Sequence, residues 1–181
     1  NETVKIHTFI SEFYITYMLF FLPNGCIIMW KNHLSRCGMN VYDFDNTIFE
    51  GDSTYRFFRF CLRRHKRVLL YLPRIGFAAL KYYAFHIGTK TQFKERMYTF
   101  LKACRTQEDV AAFWDSNLSG IKSFYREIHR DDDVIISASP EFLLKPLEDR
   151  LGITVIASRV SPADGKTSGE NCYHEEKVRR F

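Results

Sequence analysis

Two aspartates stand one residue apart in the segment Asn40-Val-Tyr-Asp43-Phe-Asp45-Asn-Thr47. The chain is leaving an extended run there, so both side chains can face one crevice. Two carboxylates held that close repel each other unless a cation sits between them. Oxygen donors of this kind suit Mg2+. One carboxylate can attack phosphorus and form an aspartyl-phosphate. The other can hand a proton to the leaving alkoxide. An isolated Asp-x-Asp-x-Thr also fits a polar turn closed by an Asx cap. The apolar residues before it favour the reactive reading, because ligands in open α/β sheets bind beyond the carboxyl ends of the strands.

A crevice of that kind needs a sheet behind it. Asn40 to Phe44 is short, apolar and β-prone, and runs straight into Asp45-Asn46-Thr47. Asp133 to Ser137 contains Val134-Ile135-Ile136, a continuous apolar run that predicts a strand buried on both faces of a parallel sheet. Ser139-Pro140-Glu141 then predicts a helix start, with Ser139 as N-cap and Pro140 in the first helical position. Leu143, Leu144, Leu147 and Leu151 continue it at helical spacing, and Gly152 ends it. A third strand is expected at Ile153 to Ala157. Strand, helix, strand is the unit of an α/β fold. The long stretch between the first two strands reads as helices: Thr54 to Ala84 with a break or bend at Pro73, Thr91 to Cys104, one opening at Thr106, and Ile121 to His129. It is too long for one crossover helix. Residues 52–118 are therefore expected as a helical insertion, with 39–51 and 119–181 as the core.

The composition of the 181 residues sets bounds. Hydrophobic residues at 46% and charged residues at 26% exclude disordered and collagen-like chains. A net charge of +5 with no RNA-binding motif gives no expectation of a nucleic-acid partner. Arg56 to Arg67 carries six basic residues and no acid. That is a solvated helix face, or a surface for a phosphorylated substrate or anionic lipid. The five cysteines are odd in number and form no Cys-x-x-Cys pair, so free thiols and a cytoplasmic location are expected. His65 and His86 have no partner visible in the sequence. Phe13 to Trp30 is apolar but interrupted by Pro23-Asn24-Gly25, where a turn is expected in place of a membrane-spanning helix. Met39 precedes the first strong strand, so residues 1–38 read as a leader or upstream segment outside the fold.

Asp43-x-Asp45-x-Thr47 after an apolar strand resembles motif I of the haloacid dehalogenase-like hydrolases. The longer run Asp43-Phe-Asp-Asn-Thr-Ile-Phe-Glu-Gly-Asp-Ser-Thr54 is similar to the phosphoserine-phosphatase-like branch, which carries a helical cap inserted after motif I. Val134-Ile-Ile-Ser137-Ala-Ser-Pro140 resembles motif II through Ser137. Asn171-Cys-Tyr-His-Glu-Glu-Lys177 resembles motif III through Lys177, with Lys166 as the alternative. The resemblance covers residues 39–181. It implies a Rossmann-like parallel sheet with a helical cap, and a Mg2+-dependent phosphomonoester hydrolase acting on a small phosphorylated metabolite. It implies Asp43 as nucleophile and metal ligand. Asp45 would be general acid and base, and its main-chain carbonyl a second metal ligand. Thr47 would shape the loop, and Ser137 and Lys177 would bind the phosphoryl group. Glu50 falls where that branch places a substrate contact. Motif IV, a Gly-Asp pair that completes the metal site, would lie beyond Phe181, which reads as a chain truncated at its C-terminus. A non-catalytic phosphate-binding module, or a membrane-peripheral lipid-phosphate phosphatase, is the alternative expectation. The oligomeric state is not legible in the sequence.

Overall fold

The computed structural model describes residues 40–168 in full, together with the backbone of 4–10, 13–22 and 25–31. Strands β1 (Val4–Ile10), β2 (Phe13–Leu22) and β3 (Gly25–Lys31) pair antiparallel in that order. Ile10 pairs with Phe13 and Leu22 with Gly25; of the turn expected at Pro23-Asn24-Gly25, Gly25 opens β3 and the other two lie outside the described residues. The described strands of residues 1–38, the segment read as a leader or upstream sequence, form this sheet, separate from the one that follows.

The second sheet holds β4 (Val41–Tyr42), β5 (Val134–Pro140) and β6 (Thr154–Ser158), all parallel, with β5 central. Tyr42 pairs with Ile135, and Ile135 with Val155. The register, with Tyr42 beside Ile135, brings Asp43, just past the end of β4, close to Ser137 within β5. β4 is shorter than expected because Phe44 already turns: the N–H groups of Thr47, Ile48 and Phe49 all donate to its carbonyl. β5 is longer, running through Ser139 to Pro140. Ser139 is therefore a strand residue, and Pro140 takes the N-cap position.

The expected helix after β5 is split into α6 (Glu141–Leu144) and α7 (Pro146–Leu151). Pro146 has no N–H for the ladder, which separates the two turns. Gly152 closes α7 at φ 67°, a left-handed conformation that glycine adopts without a Cβ clash. The excursion between β4 and β5 comprises α1 (Ser53–Arg64), α2 (Leu72–Tyr83), α3 (Lys90–Met97), α4 (Thr106–Asn117) and the short α5 (Ser123–Ile128). Pro73 sits in the first turn of α2, so the chain breaks before it through a 3-10 turn at Lys66–Tyr71.

These helices divide by burial. α1 and α4 send Phe57, Cys61, Val110, Phe113 and Trp114 into the apolar cluster that includes Tyr42, Ile135 and Val155 of the sheet. The Trp114 indole N–H donates to the Leu143 carbonyl at 2.6 Å, pinning α4 to α6. α2 and α3 contain no fully buried residue. No helix among the described residues is long and apolar enough to cross a membrane.

Candidate active site

The turn after β4 is held by its own backbone. Asn46 adopts φ 62°, a conformation its short polar side chain tolerates, and its N–H donates to the Gly51 carbonyl at 3.1 Å. Lys122 Nζ donates to the Asn46 carbonyl at 2.6 Å. This returns the chain so that α1 begins directly beside Asp45. Asp52 caps α1 by accepting from the Tyr55 N–H at 2.8 Å.

Asp45 is gripped by both neighbours. Its Oδ1 accepts from the Ser53 N–H at 2.7 Å, and its Oδ2 from the Ser139 hydroxyl at 2.5 Å. The Ser139 Oγ lies 3.1 Å from Ser53 Oγ and 3.0 Å from Thr54 Oγ1, while its N–H donates to Ser137 Oγ at 3.0 Å. One hydroxyl network therefore joins the end of β5, the start of α1 and the Asp45 carboxylate. Burial pushes the Asp45 carboxyl above the usual carboxylate range, against the pull of the serine hydrogen bonds. A carboxyl raised in this way keeps a proton at higher pH than an ordinary aspartate, as a general acid requires.

Asp43, Asp45 and Ser137 line one cavity of about 800 Å³. Its far wall comes from α2 and α3: Tyr82 and Tyr83, Phe93, and the cationic Lys90 and Lys94. Tyr82 stacks on Phe93 with centroids 5.3 Å apart. Lys94 Nζ reaches across to the Ala138 carbonyl at 3.0 Å, so α3 is tied to the end of β5. Tyr98, buried at the base, has its hydroxyl pushed well above the usual tyrosine range by burial. Among the described residues the lining offers carboxylate, hydroxyl and carbonyl oxygens and no His or Cys. That donor set fits a hard divalent cation such as Mg2+.

The other expected site residues lie elsewhere. Thr47 is buried within the turn and is not part of the cavity lining. Glu50 is exposed and pairs with Arg56 at 3.5 Å, outside the cavity. Lys166 pairs with Asp164 at 3.8 Å and lines a neighbouring groove. Lys177 lies outside the described residues. Ser53 and the cavity-lining Lys90 and Lys94 were not singled out from the sequence, and Ser139 was read only as a helix cap. Ser53 and Ser139 meet Asp45 through separations of 8 and 94 residues, the second invisible to any local pattern. His65, without a visible partner in the sequence, meets the buried Asp109 at 2.7 Å. Asp109 also pairs with Arg64 at 3.0 Å and accepts from the Arg105 N–H at 2.9 Å, so its carboxylate is fully engaged away from the cavity.

A parallel sheet whose strand ends present paired aspartates and a serine to one cavity defines an α/β protein with a ligand crevice in the usual place. The chain belongs to the haloacid dehalogenase-like hydrolase family, whose model matches residues 41–181. No curated protein matches it. Among solved structures it is similar to a protein of unknown function from Bordetella pertussis Tohama I, with a TM-score of 0.62 and 20% identity over 77% of this chain and 70% of that one. That likeness concerns the fold.

Proposed function

We propose that this hydrolase cleaves phosphomonoesters through an aspartyl-phosphate on Asp43, with Mg2+ as cofactor and a small phosphorylated metabolite, phosphoserine-like or other, as substrate. The observation that carries this is the raised, serine-held carboxyl of Asp45 beside Asp43 and Ser137 in one cavity. An Asp43 carboxylate oxygen bonds to phosphorus as the ester P–O bond breaks, and Asp45 gives its proton to the departing alkoxide. Water then attacks phosphorus and loses a proton to Asp45. The Asp43–phosphorus bond breaks, inorganic phosphate leaves, and both carboxyl groups are restored.

Asp43 and the main-chain carbonyl of Asp45 would hold Mg2+, which when bound offsets phosphate charge. Ser137 would donate to a phosphoryl oxygen, and Thr47 would keep the turn in shape. Lys177 would neutralise charge near Asp43. Lys90 and Lys94 add positive potential on the opposite wall. The stretch 52–118 would act as the cap, with α2 and α3 as the part that faces substrate. A cytoplasmic setting suits the free thiols of Cys61 and Cys104.

The test is phosphate release from a chromogenic aryl phosphate by the full-length protein, with Mg2+ and with excess chelator. Asp43→Asn should lower the rate by at least about 10³-fold while the circular dichroism spectrum is unchanged. Undiminished turnover in that variant would overturn the mechanism.

A further inference from the structure

Between Asp52 and Glu95 the chain carries ten Lys and Arg and no acidic residue. The whole chain has a net charge of only +5, so positive charge is concentrated in this one stretch. The same stretch holds the apolar surface. Of nine large hydrophobic residues exposed among the described residues, seven fall within 69–87. Leu70 is 79% exposed, Phe77 69% and Phe85 64%. On α2, Arg74, Phe77 and Lys81 lie at i, i+3 and i+7, so one helix face alternates cation and aromatic ring. All three are exposed, as are Lys66 and Arg67 in the turn before α2.

We propose that this face docks on an anionic lipid bilayer. Apolar side chains interleaved with Lys and Arg, with Glu95 and Asp164 across the adjoining groove, match the interface of an anionic membrane, where rings enter the headgroup region and cations meet phosphates. α2 has 12 residues, about 18 Å of helix, against roughly 30 Å of hydrocarbon, so it lies on the surface and does not span it. A protein partner of ordinary composition would bring no comparable density of negative charge. The face borders the cavity: Tyr83 is 65% exposed and also lines the cavity wall, so docking places the cavity mouth at the bilayer surface. The proposal does not depend on the reaction assigned to Asp43.

The experiment is co-sedimentation of the full chain with phosphatidylcholine vesicles and with vesicles containing phosphatidylglycerol. Binding to the anionic vesicles is expected, weakened by salt, with little binding to the neutral ones. Arg74→Glu/Lys81→Glu should lower the partition by about tenfold or more, and Phe77→Ser/Phe85→Ser by a similar factor. These positions are exposed and outside the cavity lining, so thermal unfolding should be little changed. No binding at low salt, equal binding to both vesicle types, or indifference to both double variants overturns the proposal. A dimer in sedimentation velocity that Phe77→Ser/Phe85→Ser dissociates would assign the face to a second copy and also overturn it.

Discussion

Asp45 pays for its environment in stability. Its carboxyl is raised chiefly by burial. A raised carboxyl favours the protonated folded state, so its contribution is full below the ordinary aspartate range. It is lost as pH rises through the folded value. Above the ordinary aspartate range the group is thus a cost. Asp45→Asn should leave the melting temperature unchanged or higher, while lowering turnover by about 10²- to 10⁴-fold. A variant that melts lower and turns over normally would contradict both halves. The hydroxyl of Ser139 stabilises the charged form, so Ser139→Ala should move the alkaline limb of kcat/KM to higher pH. A limb that stays in place would detach Asp45 from that limb. Asp43 and Asp45 were legible because their spacing is local. The grip of Ser139 was not, since it depends on β5 lying beside β4.

At the scale of elements, apolar runs announced β5 and β6 because both faces of a parallel sheet are covered. Their ends were less legible. β5 continues through Ser139 because the Ser139 hydroxyl is drawn to Asp45 and is not turned back to cap α6. The helical breaks followed proline, at Pro73 as expected and at Pro146 unexpectedly. Nor could local spacing show that α1 and α4 join the core while α2 and α3 stay outside. That division rests on long-range contacts such as Trp114 to Leu143. The indole N–H is the donor to a buried carbonyl there. Trp114→Phe keeps a ring but leaves that carbonyl unpaired. It should cost about 1–3 kcal/mol in urea unfolding at an unchanged m-value. A loss no greater than a few tenths would mean that packing alone joins α4 to α6.

Over the whole molecule, the aspartates and the positive charge occupy different walls of one cavity, sheet on one side and α2 with α3 on the other. The basic run from Arg56 to Arg67 was legible but its cations do not line the cavity, and Lys90 and Lys94 acquire meaning only once α3 faces the sheet. The core beneath carries a second consequence. Tyr42, Tyr98 and Tyr125 are all buried, and burial pushes each hydroxyl above its ordinary value, with the Asp133 carboxylate adding to the effect at Tyr42 and Tyr125. Groups raised in the folded state contribute stability that is full below about pH 10, the unfolded tyrosine value, and fades as pH rises through the folded values. Unfolding in alkali should therefore be cooperative and coupled to tyrosine ionisation. Tyrosinate absorbance from these three rings should rise together with the loss of helical circular dichroism, not before it. Tyr125→Phe removes one such group, so the alkaline midpoint should move to higher pH. Tyrosinate signal that appears wholly ahead of unfolding would show the three hydroxyls open to water.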